Sequence, residues 1–233
     1  MRVALVGHGR MGREVEAVLR EKGHEVSVGA RGAFPAGCVV GIDFTRPEAV
    51  PDSVARALAA GARYVVGTTG WGDHLPEVRR LVESRGGGLV HAANFSLGVN
   101  LFYRLVREAA RRLSAFPQYD PYVLERHHRL KKDAPSGTAR ALSAIVSEAT
   151  GRRALESLSG PLPEGSFHVA AVRAGGIVGD HTVGFDSGAD EILLEHRARS
   201  RRAFAEGAVA AAEWIATRTG FHTFDAVLDD LER

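Results

Sequence analysis

The chain has 233 residues, of which 45% are apolar and 25% are charged, and its formal net charge is +2 at pH 7. This length holds one large domain or two small ones, and the near-balanced charge gives no support to a general affinity for nucleic acids or membrane surfaces. No apolar run approaches the roughly 20 residues that a membrane-spanning helix needs, and one cysteine, Cys38, excludes an internal disulfide framework and fits a reducing cytoplasm.

The chain begins with an apolar strand over residues 2–6, which leaves no room for a signal peptide and predicts a cytoplasmic protein. A helix follows and ends near residue 23, and a second strand covers residues 25–28. A glycine-rich G-x-G-x-x-G loop joins the first strand to the helix and consists of Gly7, His8, Gly9, Arg10, Met11 and Gly12. In this context the glycines let the backbone approach a pyrophosphate at the helix N-terminus, so we expect a dinucleotide site. The alternative is a glycine-rich turn in another kind of α/β protein.

The end of the second strand bears on the choice of cofactor. NAD-specific folds usually place an acidic residue there to bind the ribose hydroxyls. This chain has Arg31 and no acid, which favours a 2′-phosphate and hence NADPH, or the use of both NADPH and NADH. A solvent-facing loop arginine is the alternative for that residue.

Three more strands are predicted over residues 39–44, 63–66 and 89–92, separated by helices. The resulting sheet is parallel, so the loops after its strands lie at the carboxyl edge, where ligands bind. The loop after the fourth strand is 67–71, and the one after the fifth is 93–100. Cys38, just before the third strand, is expected to be a small apolar core residue.

The middle of the chain carries an unusual cationic segment, residues 125–139. A strand over 120–127 leads into it, Pro135 disfavours helix at the residue before it, and Ser136 is a suitable N-cap for a helix over 139–149. The free N–H groups of Gly137 and Thr138 then form an anion site for a carboxylate or phosphate, to which Lys131 adds a movable cation. Adjacent histidines on a strand point to opposite faces, so at most one joins this site unless the strand ends there.

Strands over 167–174, 181–186 and 191–197 follow, and they predict a second, α+β domain with a mostly antiparallel sheet. Helices over 203–217 and 224–231 come last, and with no strand left they are expected to return to the first domain. The predicted fold class is therefore α/β, with a Rossmann-type parallel sheet and a second α+β domain. The predicted domains are 1–98 plus 203–233 for the dinucleotide, and 99–202 for substrate binding and oligomerisation.

These motifs together resemble the dihydrodipicolinate reductase family over nearly the whole chain. The resemblance rests on Glu125-x-His127-His128, on Lys131-x-Asp133-Ala134-Pro135-Ser136-Gly137-Thr138, on Gly67-Thr68-Thr69-Gly70 and on Asn94-Phe95-Ser96-Leu97-Gly98. It implies NAD(P)H-dependent reduction of 4-hydroxy-tetrahydrodipicolinate to tetrahydrodipicolinate with loss of water, in lysine and diaminopimelate biosynthesis. It also implies a homotetramer whose central sheet is made by the second domains.

The resemblance assigns roles to individual positions. His127 and Lys131 are similar to the family's catalytic proton donors or acceptors, and His128, Ser136, Gly137, Thr138 and Arg201 to its substrate contacts. The pyrophosphate loop corresponds to residues 7–12, and the nicotinamide side to Gly67, Thr68, Thr69, Ala92, Ala93, Asn94 and Phe95. Two features differ from the family pattern: the first loop is one residue shorter, and the acid before Arg31 is missing. Both leave the choice between NADPH and NADH open.

The chemistry of the residues agrees with this resemblance. A dicarboxylate needs two anion anchors, which the Ser136 helix start and a cation such as Arg201 supply, and a reduced conjugated imine needs an acid nearby. No metal site is expected, because the basic residues around the paired histidines repel a divalent ion. His181 and His196 are expected to be structural. The alternative function is a nucleotide-binding redox sensor or regulator on the same fold.

Overall fold

The computed structural model describes residues 1–29, 33–157 and 160–233, and these form two compact units. The first unit comprises Met1–Leu97 and Arg201–Arg233, and the second comprises Gly98–Ser200. Arg31, the residue on which the predicted cofactor preference depends, lies outside the described residues. The roles predicted for the two regions, dinucleotide binding and substrate binding, remain predictions.

The first unit is built on a six-stranded sheet in which every strand pair is parallel. Numbered along the whole chain, its strands are β1 (Arg2–Val6), β2 (Glu25–Val28), β3 (Val40–Asp43), β4 (Arg63–Val66), β5 (Gly88–His91) and β11 (Gly220–Thr223). Their order is β11-β5-β4-β3-β1-β2, so the chain leaves β1 on one side for β2 and returns to its other side for β3. This switch point is where open α/β sheets form a ligand crevice beyond the carboxyl ends of the strands.

Helices cover both faces of this sheet. They are α1 (Arg10–Glu21), α2 (Val50–Ala59), α3 (Leu75–Ser84), α6 (Arg202–Ile215) and α7 (Phe224–Leu231), with short 3-10 turns at Pro47–Ala49 and Gly72–His74. Helices α1, α6 and α7 share one apolar core with the sheet, and α2 and α3 share the core on the other face. The inner strands β1, β3, β4 and β5 are largely buried, as expected for strands covered on both faces, which explains why they read as mostly apolar runs.

The strand β11 corrects the prediction that no strand follows the helix over 203–217. Residues Gly220–Thr223 pair in parallel with Gly88–His91 and close one edge of the sheet. The run is only four residues long, begins with Gly220 at φ +106°, and is half-buried at an edge. So short an edge strand carries almost no periodicity in its sequence.

The elements of the second unit are α4 (Leu97–Leu113), β6 (Asp120–His127), α5 (Gly137–Thr150), β7 (Arg153–Leu155), β8 (Ser166–Arg173), β9 (Asp180–Asp186) and β10 (Glu191–Arg197). Its strands form a five-stranded sheet in the order β10-β9-β6-β8-β7. The helix α4 begins at Leu97, within the stretch 93–100 that the sequence suggested was a loop.

The predicted α/β class with a parallel sheet and a second α+β domain is confirmed, but the second sheet is mixed. The pairs β10–β9 and β9–β6 are antiparallel, whereas β6–β8 and β8–β7 are parallel. Helix α5 lies between β6 and the strands β7 and β8, and such a crossover returns the chain in the same direction. The prediction of a mostly antiparallel sheet missed this crossover.

One face of the second sheet packs against α4 and α5 around Phe102, Leu142, Phe167 and Phe185. The opposite face carries apolar side chains with substantial exposure, including Val172 at 43% and Leu193 at 55%. No helix in the described parts of the chain is both long enough and apolar enough to span a membrane.

Candidate active site

The glycine-rich loop of the first unit connects β1 to α1 at the switch point. Gly7 has φ +92°, a conformation that favours glycine, and a Cβ on Gly12 would lie 2.3 Å from the Gly7 carbonyl oxygen. A Cβ on Gly9, by contrast, would meet no atom within 4 Å. Gly12 therefore lets the helix pack against the loop, and the open side at Gly9 lets a ligand approach the backbone at the N-terminus of α1.

The remaining loop side chains are exposed or half-buried. His8 Nε2 lies 2.6 Å from Oε2 of Glu16, and the other oxygen, Oε1, accepts hydrogen bonds from Arg20. Arg10 is exposed and Met11 packs partly into the core. The loop thus presents backbone N–H groups and two basic side chains.

A buried polar network joins the loops after β3 and β4. Asp43, at the end of β3, is fully buried and accepts hydrogen bonds from the Thr45 N–H at 2.8 Å, the Thr45 hydroxyl at 2.6 Å, the Thr68 hydroxyl at 3.1 Å and the Tyr64 hydroxyl at 3.1 Å. Burial raises the pKa of Asp43, and these hydrogen bonds only partly offset that effect. The network fixes the two loops side by side at the carboxyl edge.

The structure therefore brings the predicted nicotinamide-side residues to the same edge of the sheet, with different exposure. The Thr68 hydroxyl accepts the Thr45 N–H at 2.8 Å and is buried, whereas Thr69 is exposed. Asn94 caps its own turn by accepting the Ser96 N–H at 2.8 Å. Phe95 is 1% exposed and packs on Phe224 and Phe44, so it supports this edge of the sheet from within the core.

The remaining predicted positions of this unit are simple to place. Gly67 lies against the Phe44 ring, Ala92 donates its N–H to Val66 O at 3.2 Å, and Ala93 is exposed. Arg201 is exposed and occupies the N-cap position of α6. Cys38 is buried, as expected for a small apolar residue, and the Trp71 side chain is buried beside His91.

The second unit places the residues of the predicted anion site at the start of α5. Ser136 is the N-cap, with extended backbone, and its Oγ accepts the Ala139 N–H at 3.2 Å. Gly137 is exposed, and the Thr138 side chain forms a hydrogen bond with Tyr103 of α4. The first N–H groups of a helix have no intrahelical acceptor, so this turn is suited to an anion. The peptide bond between Ala134 and Pro135 is cis.

Beneath this turn lies Glu125, a fully buried carboxylate that several groups share. Both of its oxygens lie 3.1 Å from the Ser136 backbone nitrogen, and Oε1 accepts a hydrogen bond from Arg173 Nη2 at 2.6 Å. His127 Nδ1 is 3.4 Å and His181 Nε2 is 3.7 Å from Oε2. The His181 ring also lies 3.2 Å from Ser136 Oγ, so four side chains converge on one turn.

The pKa values of Glu125 and His127 are both lowered, and the causes can be identified. Burial would raise the pKa of Glu125, but the neighbouring His181 and the hydrogen bonds from Ser136 and Arg173 outweigh it and hold that pKa well below its usual range. Burial lowers the pKa of His127 to about 4, and the charges of Lys131 and Arg173 add to this effect while Glu125 opposes it. At neutral pH, Glu125 is a carboxylate and His127 is a neutral imidazole.

The paired histidines separate as the strand ends. His127 is the last residue of β6 and is buried, whereas His128 follows the strand and is half-buried. Lys131 is 21% exposed and donates to both carboxylate oxygens of Asp133, at 2.8 and 3.0 Å. The segment thus holds a neutral histidine, a second histidine and a paired ammonium group around the helix start.

Glu125, His127 and His181 offer ligand atoms within 4.8 Å of one another, a spacing that suits a metal ion. Arg173, however, already pairs with the Glu125 carboxylate at 2.6 Å. Lys131 contributes a second positive charge, which helps to lower the pKa of His127. A divalent cation would have to displace or face these cations. We therefore retain the prediction that this site does not depend on a metal.

Sequence reasoning missed Arg173 and gave no role to Glu125 beyond its place in the motif. It also took His181 for a structural histidine, although the ring touches Ser136. The only signal available was alternation: Glu125 and His127 are two residues apart on β6 and so share a face, which is the core face that Val123 also occupies. A charged residue at a core-facing strand position is unusual enough to mark a site.

Comparisons with known proteins agree with one another. Residues 98–228 match the family model described as "Dihydrodipicolinate reductase, C-terminus", and residues 30–95 match "Dihydrodipicolinate reductase, N-terminus". The chain is 33% identical to the 4-hydroxy-tetrahydrodipicolinate reductase of Christiangramia forsetii, with 99% of each chain covered. It is 40% identical to the protein of the same name from Natronomonas pharaonis, over 97% of this chain and 99% of that relative.

A solved structure supports the fold. The dipicolinate-bound dihydrodipicolinate reductase from Paenisporosarcina sp. TG-14 superposes with a TM-score of 0.77 at 23% identity, covering 96% of this chain and 97% of that one. An engineered D-amino acid dehydrogenase bound to NADP⁺ superposes with a TM-score of 0.53 at 14% identity, over 100% of this chain and 98% of the other. At these identities the likeness concerns the fold.

Proposed function

Because the chain belongs to the dihydrodipicolinate reductase family, we propose that it reduces 4-hydroxy-tetrahydrodipicolinate to tetrahydrodipicolinate, with loss of water, using NADPH or NADH. It is an oxidoreductase of lysine and diaminopimelate biosynthesis. The single structural observation that supports this most is the start of α5, where the capping residue Ser136 donates its N–H to the Glu125 carboxylate that also lies beside His127. That arrangement suits a carboxylate-bearing substrate that must gain a proton.

The first unit fits a nicotinamide cofactor. Gly12 removes a side chain that would collide with the loop backbone, and the space at Gly9 leaves the helix start open to a diphosphate. The bound cofactor would supply a hydride. The chain's own residues in this unit, at positions 7–12, 67–69 and 92–95, would bind and orient it.

The second unit would hold the substrate through one of its carboxylates. The N–H groups of Gly137 and Thr138 are positioned by the Ser136 cap, and the partial positive charge of the helix start favours an anion. His128 follows β6 at the same segment. Arg201 would bind the other carboxylate; this assignment rests on the resemblance alone, since Arg201 belongs to the first unit.

The protonation states favour different roles for the two candidate acids. With its pKa lowered to about 4, His127 has no proton to give from an imidazolium at neutral pH, and it would act as a neutral hydrogen-bonding group or proton acceptor. Lys131 carries an ammonium group on a flexible stem, paired with the half-exposed Asp133. We therefore assign the proton donation to Lys131 and the orientation of the reacting carbon to His127.

A coupled assay tests the activity. The purified chain is mixed with the aldolase that supplies the cyclic substrate, and NADPH or NADH oxidation is followed by absorbance. We expect oxidation that depends on the aldolase product. If neither NADPH nor NADH were oxidised, the proposed reaction would be wrong.

Variants of Lys131 and His127 test their roles. We expect Lys131→Ala to lower kcat about a hundredfold, because a positioned acid contributes roughly that much. His127→Ala should lower kcat about tenfold or more, because the reacting carbon is then less well oriented. Lys132→Ala is the matched control, since Lys132 is an exposed lysine next to Lys131, and it should stay near the wild-type rate. If Lys132→Ala lowered kcat as much as Lys131→Ala, the loss would reflect the removal of a positive charge in general and not proton donation by Lys131.

The preference between NADPH and NADH is a separate proposal that rests on Arg31. We infer that its guanidinium binds the 2′-phosphate, since no acid precedes it to bind the ribose hydroxyls. Arg31→Ala should then weaken NADPH binding by about tenfold or more and leave NADH binding nearly unchanged, as measured by fluorescence titration. Equal losses for both cofactors would refute the phosphate contact.

Assembly into a homotetramer is also a proposal. The exposed apolar residues Val172 and Leu193 lie on the face of the second sheet that α4 and α5 leave free, and burying such a face is a common reason to oligomerise. Light scattering on the purified chain would give the oligomeric state. A cytoplasmic location remains a prediction from the single buried cysteine, Cys38.

The alternative, a nucleotide-binding redox sensor, lacks a specific observation in its favour. A sensor would bind NADPH without a second ligand, whereas the reductase should bind NADPH and pyridine-2,6-dicarboxylate together. Titrating NADPH with and without that dicarboxylate separates the two functions.

A further inference from the structure

We propose that Glu125 and Arg173 form a clamp that positions the anion-binding turn, residues 133–138, for the substrate carboxylate. This inference rests on the proposed reductase activity and adds two positioning residues to it. Both lie in the second unit, on the neighbouring parallel strands β6 and β8.

Glu125 holds the second half of the turn. Its two oxygens are both 3.1 Å from the Ser136 nitrogen, so the N–H that precedes the helix start is directed into the carboxylate. Ser136 in turn caps α5 through Oγ. Moving the Glu125 carboxylate would therefore move the N–H groups of Gly137 and Thr138, which follow Ser136 directly in the chain.

Arg173 holds the first half of the turn. A single nitrogen, Nη2, donates to Glu125 Oε1 at 2.6 Å and to the Asp133 carbonyl oxygen at 2.7 Å. The guanidinium thus ties the backbone at Asp133 to the same carboxylate that holds Ser136. The two anchor points bracket Ala134 and Pro135, and they set both ends of the turn against the sheet.

Stabilising the fold does not by itself explain why Glu125 and Arg173 are a charged pair. Glu125 is fully buried and the Arg173 side chain is 18% exposed, and a buried ion pair is often no more stabilising than an apolar pair of the same volume. An apolar pair would join β6 to β8, but it could not accept the Ser136 N–H or donate to the Asp133 carbonyl. Those backbone hydrogen bonds are what the charged pair adds, and they act on the turn that would bind the substrate.

The clamp also affects the side chains of Lys131 and His127. The Lys131 ammonium group pairs with the Asp133 carboxylate, so holding the Asp133 backbone also helps to fix the position of that ammonium group. His127 Nδ1 faces Glu125 Oε2 at 3.4 Å. One carboxylate therefore adjoins the anion turn, the neutral histidine and, through Arg173, the loop that carries the lysine.

The first experiment compares Arg173→Lys with Arg152→Lys. Arg152 is a matched control, because its side chain is 21% exposed and it also bridges a carboxylate, that of Asp120, and a backbone carbonyl, that of Pro117. A lysine cannot reproduce the fork of either arginine. We expect Arg173→Lys to weaken pyridine-2,6-dicarboxylate binding and to lower kcat/KM by about tenfold or more, because misplacing a binding group by about 1 Å costs that much.

The cofactor provides an internal reference. NADPH affinity in the absence of dicarboxylate should stay within about twofold of wild type in both variants, since the clamp lies outside the first unit. Arg152→Lys should also keep kcat/KM within about twofold. An equal kcat/KM in Arg173→Lys and Arg152→Lys overturns the clamp, whereas an inactive wild type overturns the proposed reductase activity itself.

A second set of variants separates positioning from folding. Glu125→Leu alone leaves the Arg173 charge buried and should unfold at a lower temperature than the wild type. Adding Arg173→Met should recover part of that unfolding temperature while kcat/KM and dicarboxylate binding stay reduced by at least about tenfold. A double variant that regains both its stability and its kcat/KM would show that the pair only supports the fold, and would overturn the proposal.

Discussion

Asp43 and Glu125 are two fully buried carboxylates, the first at the end of β3 and the second two residues before the end of β6, and their surroundings are opposite. Asp43 is surrounded by neutral donors, Thr45, Thr68 and Tyr64, and burial raises its pKa. Glu125 has His181, Ser136 and the guanidinium of Arg173 around it, and together they hold its pKa well below the usual range. Two fully buried carboxylates therefore shift in opposite directions, because burial outweighs the hydrogen bonds at Asp43, whereas the partners of Glu125 outweigh its burial.

The difference matches the tasks of the two regions. The Asp43 network joins two loops at the carboxyl edge of the parallel sheet and needs only hydrogen-bond acceptors. The Glu125 network lies beneath a turn suited to an anion, and it keeps a positive and a negative charge in fixed positions there. Removing the charge without changing the shape is the way to test this contrast.

The largest expected effect is on stability. Glu125→Gln should lower the free energy of unfolding by about 3–5 kcal/mol, because it leaves the Arg173 charge buried without its partner. Asp43→Asn should cost only about 1 kcal/mol, since an amide oxygen still accepts from Thr45 and Thr68 and the Tyr64 hydroxyl can rotate to accept. Urea unfolding of both variants measures the difference. Similar losses would mean that charge is unimportant in the Glu125 network.

An effect of intermediate size is expected within the glycine loop of the first unit. Gly12→Ala would bring a Cβ to 2.3 Å from the Gly7 carbonyl oxygen and should cost about 1–3 kcal/mol of stability. Gly9→Ala meets no atom within 4 Å, so it should change stability by less than about 0.5 kcal/mol and yet weaken NADPH binding. Thermal unfolding and cofactor titration test the pair. Normal NADPH binding by Gly9→Ala would contradict the backbone approach at this position.

The smallest effect is on the pH dependence of stability. The pKa of His127 is lowered to about 4, so the stability that depends on neutral His127 is complete above about pH 6.5 and is lost as the pH falls towards 4. The raised pKa of Asp43 has the opposite sign: its folded form binds the proton more tightly, so stability falls as pH rises from about 3.9 through that pKa.

Two variants should therefore change the slope between about pH 4 and 6.5 in opposite directions. His127→Gln should flatten the rise of unfolding free energy with pH, and Asp43→Asn should steepen it, each by at most about 1.4 kcal/mol per pH unit. Urea unfolding across this range, with Lys132→Ala as a control, measures the slopes. Parallel shifts of the two variants would contradict the assigned pKa directions.

Local sequence signals predicted many of the structural features correctly. The loop from Gly7 to Gly12 between a strand and a helix, the parallel order that follows, and Ser136 as the N-cap of α5 all come from neighbours a few residues apart. Such features depend on backbone propensity and on the period of apolar residues, and both are written in the chain itself. The family resemblance depends on the same short segments.

The sequence by itself determined the fold class and the family, and it predicted the segment in which we propose the anion site. Only the tertiary structure decided that β11 completes the first sheet, that β6 and β8 run parallel, and that Arg173 meets Glu125 from 48 residues away. Pairing between distant strands leaves no periodic trace in either partner, because register is set by packing across the sheet. The charge state of His127 belongs to the same class, since burial and the neighbouring charges exist only after the chain has folded.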